Sequence, residues 1–174
     1  FLGGIHSYDK LQFLYKQPIL LGKFGLLDAT VEGGKTFGTV PVGLLSPVPA
    51  NQSFSLVRNT FSLLNYYDFV TDTYAATHLE HHFNGFIMNR IPLLKKLKLR
   101  SLITFRAAYG SISNENRAIN DGIVNASETP NILYNTPNKL YYEYGFGIEN
   151  IGYGNLRFLR VDAIWRSNYT PPNG

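Results

Sequence analysis

Long stretches of this chain alternate apolar and polar residues with a period of two, and full charges stand on the polar parity. A β-strand sends successive side chains to opposite faces, so these stretches demand a sheet with two unlike sides. Between residues 25 and 34, Leu27, Ala29 and Val31 oppose Asp28, Thr30 and Glu32. Between Tyr67 and Asn84, Phe69, Thr71, Thr73, Ala75, Thr77, Leu79 and Phe83 share one parity, and Asp72, Tyr74, His78, Glu80, His82 and Asn84 share the other. From Lys98 to Ser111, Leu99, Ile103, Phe105, Ala107 and Tyr109 oppose Lys98, Arg100, Thr104 and Arg106. Leu140, Tyr142, Tyr144, Phe146 and Ile148 then oppose Tyr141, Glu143, Gly145, Gly147 and Glu149. Last, Leu159, Val161, Ala163, Trp165 and Tyr169 oppose Arg160, Asp162, Arg166 and Asn168. Five strands are predicted, with Leu11–Tyr15 a further short one; Phe54–Leu64 fits neither period.

The connections fit an antiparallel sheet with unlike ends. Ser111–Asn138 reads as a long polar loop rich in Asn, Ser, Asp and Pro, whereas Ile151–Asn155 is short and glycine-rich. No internal repeat or domain boundary interrupts the chain.

Two architectures use such strands. A soluble sandwich or barrel buries its apolar face and typically has strands of about 5 to 6 residues. A transmembrane barrel turns that face to lipid and needs about 9 to 11 residues per crossing. The predicted strands are long, and Tyr109, Tyr142, Tyr144, Trp165 and Tyr169 lie on their apolar parity, where a membrane-interface girdle would stand. With 12 Tyr, 12 Phe and one Trp, the composition supplies such a girdle. Arg100, Arg106, Arg160, Asp162 and Arg166 occupy the other parity, which a hydrated lumen tolerates and a dry core does not. The expected fold is therefore all-β, an antiparallel transmembrane β-barrel with long polar loops on one side and short turns on the other; a soluble β domain is the alternative. No apolar run approaches the ~18 residues of a membrane-spanning helix.

Few chemistries fit the remaining residues. The absence of cysteine removes disulfides, thiolate nucleophiles and Cys-based zinc sites. The basic residues are scattered apart from Lys95, Lys96, Lys98 and Arg100, so no nucleic-acid partner is expected. In THLEHHFNGF (Thr77–Phe86), His78, Glu80 and His82 share one strand face and form a conceivable zinc or iron set. The same face continues with Asp72 and Asn84, as ordinary wall polarity would, and His81 points away. The expectation is a wall, with no metal, no cofactor and no catalytic residue; the alternative is a barrel-borne enzyme using His78, Glu80 and His82. Gly145 and Gly147 lie within a strand rather than at a strand-to-helix turn, so they read as room for neighbouring side chains or for a loop folded inward.

GKTFGTVP with the following LL (Gly34–Leu45), NYYDFVTDTYA (Asn65–Ala75), LEHHFNGFIMNRIPLLKKLKLR (Leu79–Arg100), YGFGIENI (Tyr144–Ile151) and LRFLRVDAIWR (Leu156–Arg166) resemble the C-terminal region of a Bacteroidota outer-membrane family. Its members carry an N-terminal carboxypeptidase-regulatory-like domain followed by a barrel of unknown function. More distantly, Gly145–Ile148 before Leu159–Trp165 is similar to the closing strands of the surface-antigen superfamily of outer-membrane assembly barrels. Val57-Arg58-Asn59 lacks the glycine and aromatic that should follow in that superfamily's arginine loop motif.

The resemblance implies that residues 1–174 are the C-terminal segment of an outer-membrane β-barrel, with an upstream domain and further strands outside this chain. The opening on Phe1 without an initiator Met agrees with this expectation, as does an end lacking a terminal aromatic strand. The implied role is non-enzymatic: a scaffold, conduit or component of an envelope assembly or transport complex. Its partners would be outer-membrane lipid and other outer-membrane or periplasmic proteins. The expected lumen residues are His78, Glu80, His82, Arg100, Arg106, Glu143, Glu149, Arg160, Asp162 and Arg166.

Overall fold

The computed structural model describes residues 7–51, 53, 57–65, 68–126 and 139–167. Six long strands build one antiparallel sheet: β1 (Asp9–Leu20), β2 (Leu26–Phe37), β5 (Thr73–His82), β6 (Arg100–Ser111), β7 (Tyr141–Tyr153) and β8 (Leu156–Ser167). Their order in the sheet, β1-β2-β5-β6-β7-β8, is also their order in the chain. Between β2 and β5 the chain leaves the sheet and forms a two-strand pair, β3 (Ser46–Pro47) with β4 (Val70–Thr71). Among the described residues the fold is thus all-β and antiparallel, with the α-helices α1 (Pro92–Leu97) and α2 (Asn114–Ala126) in the connections.

Four of the five predicted strands appear with the expected division of faces, the last as far as Ser167, where the described residues end. The segment 67–84 is broken by a bend at Asp72, so its long strand begins at Thr73. Three expectations need correction. The short strand at Leu11–Tyr15 is in fact 12 residues long, because Asp9–Leu20 pairs with β2 along its whole length. The loop after Ser111 contains α2, whose first turn is capped by the Ser113 hydroxyl accepting from the Asn116 N–H at 3.4 Å. The fourth alternation runs on to Tyr153 through a bulge between Ile148 and Ile151.

The loops differ between the two ends of the sheet. One end carries the β2–β5 connection and α2; at the other lie 21–25, 83–99 and the two-residue turn Gly154-Asn155. Gly154 has φ +58°, suited to the primed turns that match strand twist. The sheet is open: among the described residues β1 and β8 pair only with β2 and β7, and no barrel closes.

Register sorts the side chains into two faces. One row across the sheet runs Thr30, His78, Arg106, Glu143, Arg166, and the next runs Asp28, Glu80, Thr104, Gly145, Ile164. These rows form the polar face. The opposite face carries Phe13, Tyr15, Val31, Leu79, Ile103, Phe105, Tyr144, Phe146, Val161 and Trp165. Most of these are exposed: Ile103 retains 46% of its surface and Trp165 51%. The buried core lies on the polar side instead, where the described part of the β2–β5 connection folds back over the sheet. Phe61, Leu64 and Phe69 from that excursion pack on Ala76, Ala108 and Tyr141. The Phe61 and Phe69 rings meet Tyr141 edge-on at 5.6 and 5.3 Å.

Candidate functional site

The polar face divides into two ion networks. In the first, Arg160 of β8 grips Glu80 of β5 with both terminal nitrogens, at 2.7 and 2.9 Å, and holds Asp162 through Nε at 2.8 Å. Glu80 also meets His82 Nε2 at 2.9 Å, while His82 Nδ1 reaches Glu149 at 3.1 Å. Arg160 and Glu80 stand three strand spacings apart, roughly 14 Å. Between them lie Gly145 and Gly147, whose missing side chains clear the path. A Cβ on Gly147 would collide with the Asp162 carboxylate, and one on Gly145 would lie 2.8 Å from Thr104 Oγ1 and 2.9 Å from the Ala163 carbonyl. The room at these glycines is taken by neighbouring side chains, Asp162 and Leu102 at Gly147 and Thr104 and Ile164 at Gly145.

The second network is built around Glu143, which has no exposed surface. Its carboxylate accepts from the N–H groups of Ser62 and Leu63, both at 2.8 Å, and from the Tyr141 hydroxyl at 2.7 Å. Arg106, 4% exposed, lies 3.5 Å from the same carboxylate and donates to Ser62 Oγ at 2.9 Å. Arg166 donates to the Leu63 carbonyl at 2.9 Å. One buried carboxylate thus clamps the returning excursion against the sheet. Beyond the clamp the excursion turns through Val57–Thr60, with Asn59 at φ +58° and the Thr60 hydroxyl donating to the Val57 carbonyl at 2.7 Å. Beneath the turn lies a cavity of about 230 Å³ lined by Lys16, Asp28, Arg58, His78, Glu80 and Arg106.

The three residues of the conceivable metal set do not converge. His78 Nε2 stands 3.3 Å from Glu32 and its ring packs 5.0 Å from Phe61, whereas His82 and Glu80 belong to the Arg160 network. Among the described residues no group of three or more His, Asp or Glu is spaced to hold a metal ion. His81, as expected from its parity, faces away and packs on Phe83 at 4.4 Å. Of the ten expected lumen residues, Glu80, His82, Glu149, Arg160 and Asp162 come together in one network, and Arg106, Glu143 and Arg166 in the other. His78 pairs separately with Glu32, and Arg100 makes no ion pair among the described residues.

The girdle residues Tyr109, Tyr142, Tyr144 and Trp165 all lie on the apolar face, toward the end carrying the longer loops. Tyr144 and Trp165 stack at 5.9 Å, and Phe105 stacks on Tyr142 at 6.2 Å. Tyr169 lies outside the described residues.

At the same end, Asp72 ties the loops together. Ser113 N–H donates to it at 2.6 Å and Asn116 Nδ2 at 3.1 Å, while the Asn116 side-chain oxygen accepts from Val40 N–H at 2.8 Å. Burial opposes ionisation of Asp72. The bonds from Ser113, Asn116 and Thr73 outweigh it and hold the carboxyl below the usual carboxylate range.

Residues 1–116 match the C-terminal domain of a family of unknown function, DUF5686. The chain belongs to that family. No curated protein and no solved structure matches it. In this DUF5686 chain the matched span covers β1 to β6 and ends in the first turn of α2. Glu80, His82 and Arg106 fall inside it, while their partners Arg160, Glu149 and Glu143 lie beyond.

Sequence reasoning missed Arg58 and Ser62 as members of the polar face and left Tyr141 out of the lumen cluster. Tyr141 stood on the correct parity beside Glu143. The other two offered no periodic signal, because they reach the face through a loop.

Proposed function

We propose that this DUF5686 chain forms part of the wall of a transmembrane β-barrel in a bacterial outer membrane. It acts there without catalysis, as a scaffold, conduit or component of an envelope assembly or transport complex. The reading rests on the inversion of the sheet: the charged face is the one packed and bonded, and the apolar face is the one left open. A contiguous apolar face of this extent is costly in water and suited to acyl chains. Strands of 10 to 13 residues agree with one bilayer crossing each. In this reading the free edges of β1 and β8 pair with strands of the same protein outside residues 1–174. The upstream regulatory-like domain and a kinship with assembly barrels are further parts of the proposal, carried by sequence resemblance alone. The clamped excursion makes the lumen partly filled rather than open, which favours a scaffold or gated role over a wide pore.

Lipid contact tests the proposal. Fluorophores placed at positions 103, 105 and 163 of the protein in bilayers should be quenched by brominated acyl chains. Ile103→Arg or Ala163→Arg should destabilise by about 2 to 4 kcal/mol near the bilayer midplane. Protection of all three positions from lipid-borne quenchers, in a protein soluble without detergent, would overturn the membrane reading.

A further inference from the structure

The three connections at the short-turn end are joined to one another. The Phe24 ring of the β1–β2 connection meets Phe86 edge-on at 5.0 Å. Arg157, beside the β7–β8 turn, donates to the Leu97 carbonyl, and Asn150 Nδ2 donates to the Lys98 carbonyl at 2.6 Å. Residues 83–100 are thereby fixed across the end of the sheet.

Their chemistry is one-sided. FNGFIMNRIPLLKKLKLR contains Arg90, Lys95, Lys96, Lys98 and Arg100, and no acidic residue occurs between Glu80 and Glu115. None of Lys95, Lys96 and Lys98 has an ion-pair partner among the described residues. Beside these cations Ile87, Ile91, Leu93 and Leu97 are exposed, Leu93 by 76%. Tyr153, Leu156 and Phe158 are further exposed apolar side chains around the β7–β8 turn, Tyr153 by 92%. The opposite end is mixed in sign, with Lys35, Asp72 and Glu115 around one cavity. Exposed leucines interleaved with unpaired lysines, on a short helix lying across a sheet end, are the composition of an interfacial segment.

We propose that residues 83–100 form a collar that docks on the headgroups of an anionic phospholipid leaflet. Lys95, Lys96 and Lys98 meet the phosphates while Ile91, Leu93 and Leu97 enter the acyl boundary. This rests on the barrel reading and adds a lipid class and a side to it: short turns of outer-membrane barrels face the periplasm. The occupant is lipid because exposed aliphatic side chains alternate with lysines that have no ion-pair partner among the described residues, and those lysines are flexible point charges spread along the segment rather than gathered around one cavity.

The test uses the full-length protein in vesicles of phosphatidylcholine with phosphatidylglycerol. It reads two tryptophans separately: native Trp165 on the apolar face, and Leu93→Trp in a Trp165→Phe background. With dibrominated acyl chains carried on one headgroup at a time, the tryptophan at 93 should be quenched more strongly by brominated phosphatidylglycerol than by brominated phosphatidylcholine. Replacing Lys95, Lys96 and Lys98 by Gln should reduce that preference, by up to about fivefold for each cation engaged, and high salt should weaken it. Trp165 quenching in the triple variant reports that the protein is still folded and inserted. Equal quenching by both headgroups at 93 would overturn the anionic docking. Quenching of Trp165 with none at 93 would overturn the collar and leave the barrel; none at either site would overturn both.

Discussion

Glu143→Ala is the sharpest probe of how the excursion is held. The native carboxylate is fully buried, accepts two backbone N–H groups and one tyrosine hydroxyl, and stands 3.5 Å from Arg106. Truncation leaves a guanidinium that is 4% exposed without its counter-charge, a situation that costs about 3 to 5 kcal/mol. Each freed N–H would add about 1 to 3 kcal/mol if it stayed buried and unpaired. Lifting residues 61–64 into water relieves that penalty, so the total should stay near 5 kcal/mol and appear partly as local opening. Denaturant unfolding in detergent micelles measures the loss, and limited proteolysis between residues 57 and 64 measures the opening. Adding Arg106→Met removes the stranded charge, and the double variant should recover about 1 to 3 kcal/mol relative to the sum of the single losses. A Glu143→Ala protein within about 0.5 kcal/mol of the parent, with unchanged cleavage at 57–64, would refute the clamp.

Gly145→Ala should destabilise more than Gly147→Ala, by about 1 to 3 kcal/mol, because its new methyl meets the Ala163 backbone as well as Thr104, whereas at 147 it meets a side-chain carboxylate; thermal melts of both variants decide the order. Asp72 has a folded pKa held below its unfolded value. It therefore contributes stability that is complete above the unfolded carboxylate range and lost as pH falls through its folded pKa. Asp72→Asn should cost about 1 to 2 kcal/mol at neutral pH and flatten the acid limb of the unfolding profile. Elemental analysis should find no stoichiometric zinc or iron, and His78→Gln with His82→Gln should leave the protein folded; one metal per chain, lost in that double variant, would restore the enzyme alternative.

The two-faced sheet was legible because its signal is local. Leu27 through Glu32 and Leu140 through Glu149 each declare both faces within ten residues, and the register then follows from burial. β1 was underestimated because Leu14 and Pro18 stand on its polar parity, opposite Glu32 and Asp28, and blur the alternation. α2 hid inside an Asn-rich stretch, although Ser113 with Glu115 in the first turn is a helix-start signal that outranks composition there. The Arg160–Glu80 bridge required knowing that β5 and β8 lie three strands apart. The Glu143 clamp joins residues 81 apart in sequence, which no window of periodicity spans.

Spatial order in the large sheet repeats chain order, with a consequence for the sequence of events in folding. Each strand finds its partner in the segment just before or after it, so pairing can advance one hairpin at a time with little loop entropy to overcome. The bonds from Glu143 to Ser62 and Leu63 break that locality, since their acceptor does not exist until β7 has joined β6. A chain assembling from its N-terminal side must therefore hold residues 57–64 through the pairing of four strands by Phe61 on Ala76 and Ala108 and by Arg106 on Ser62, and gain the carboxylate only with the fifth. Timing is thus written into the position of one carboxylate, and a chaperone or assembly factor acting on this protein would meet that segment without its last fastening for most of the process.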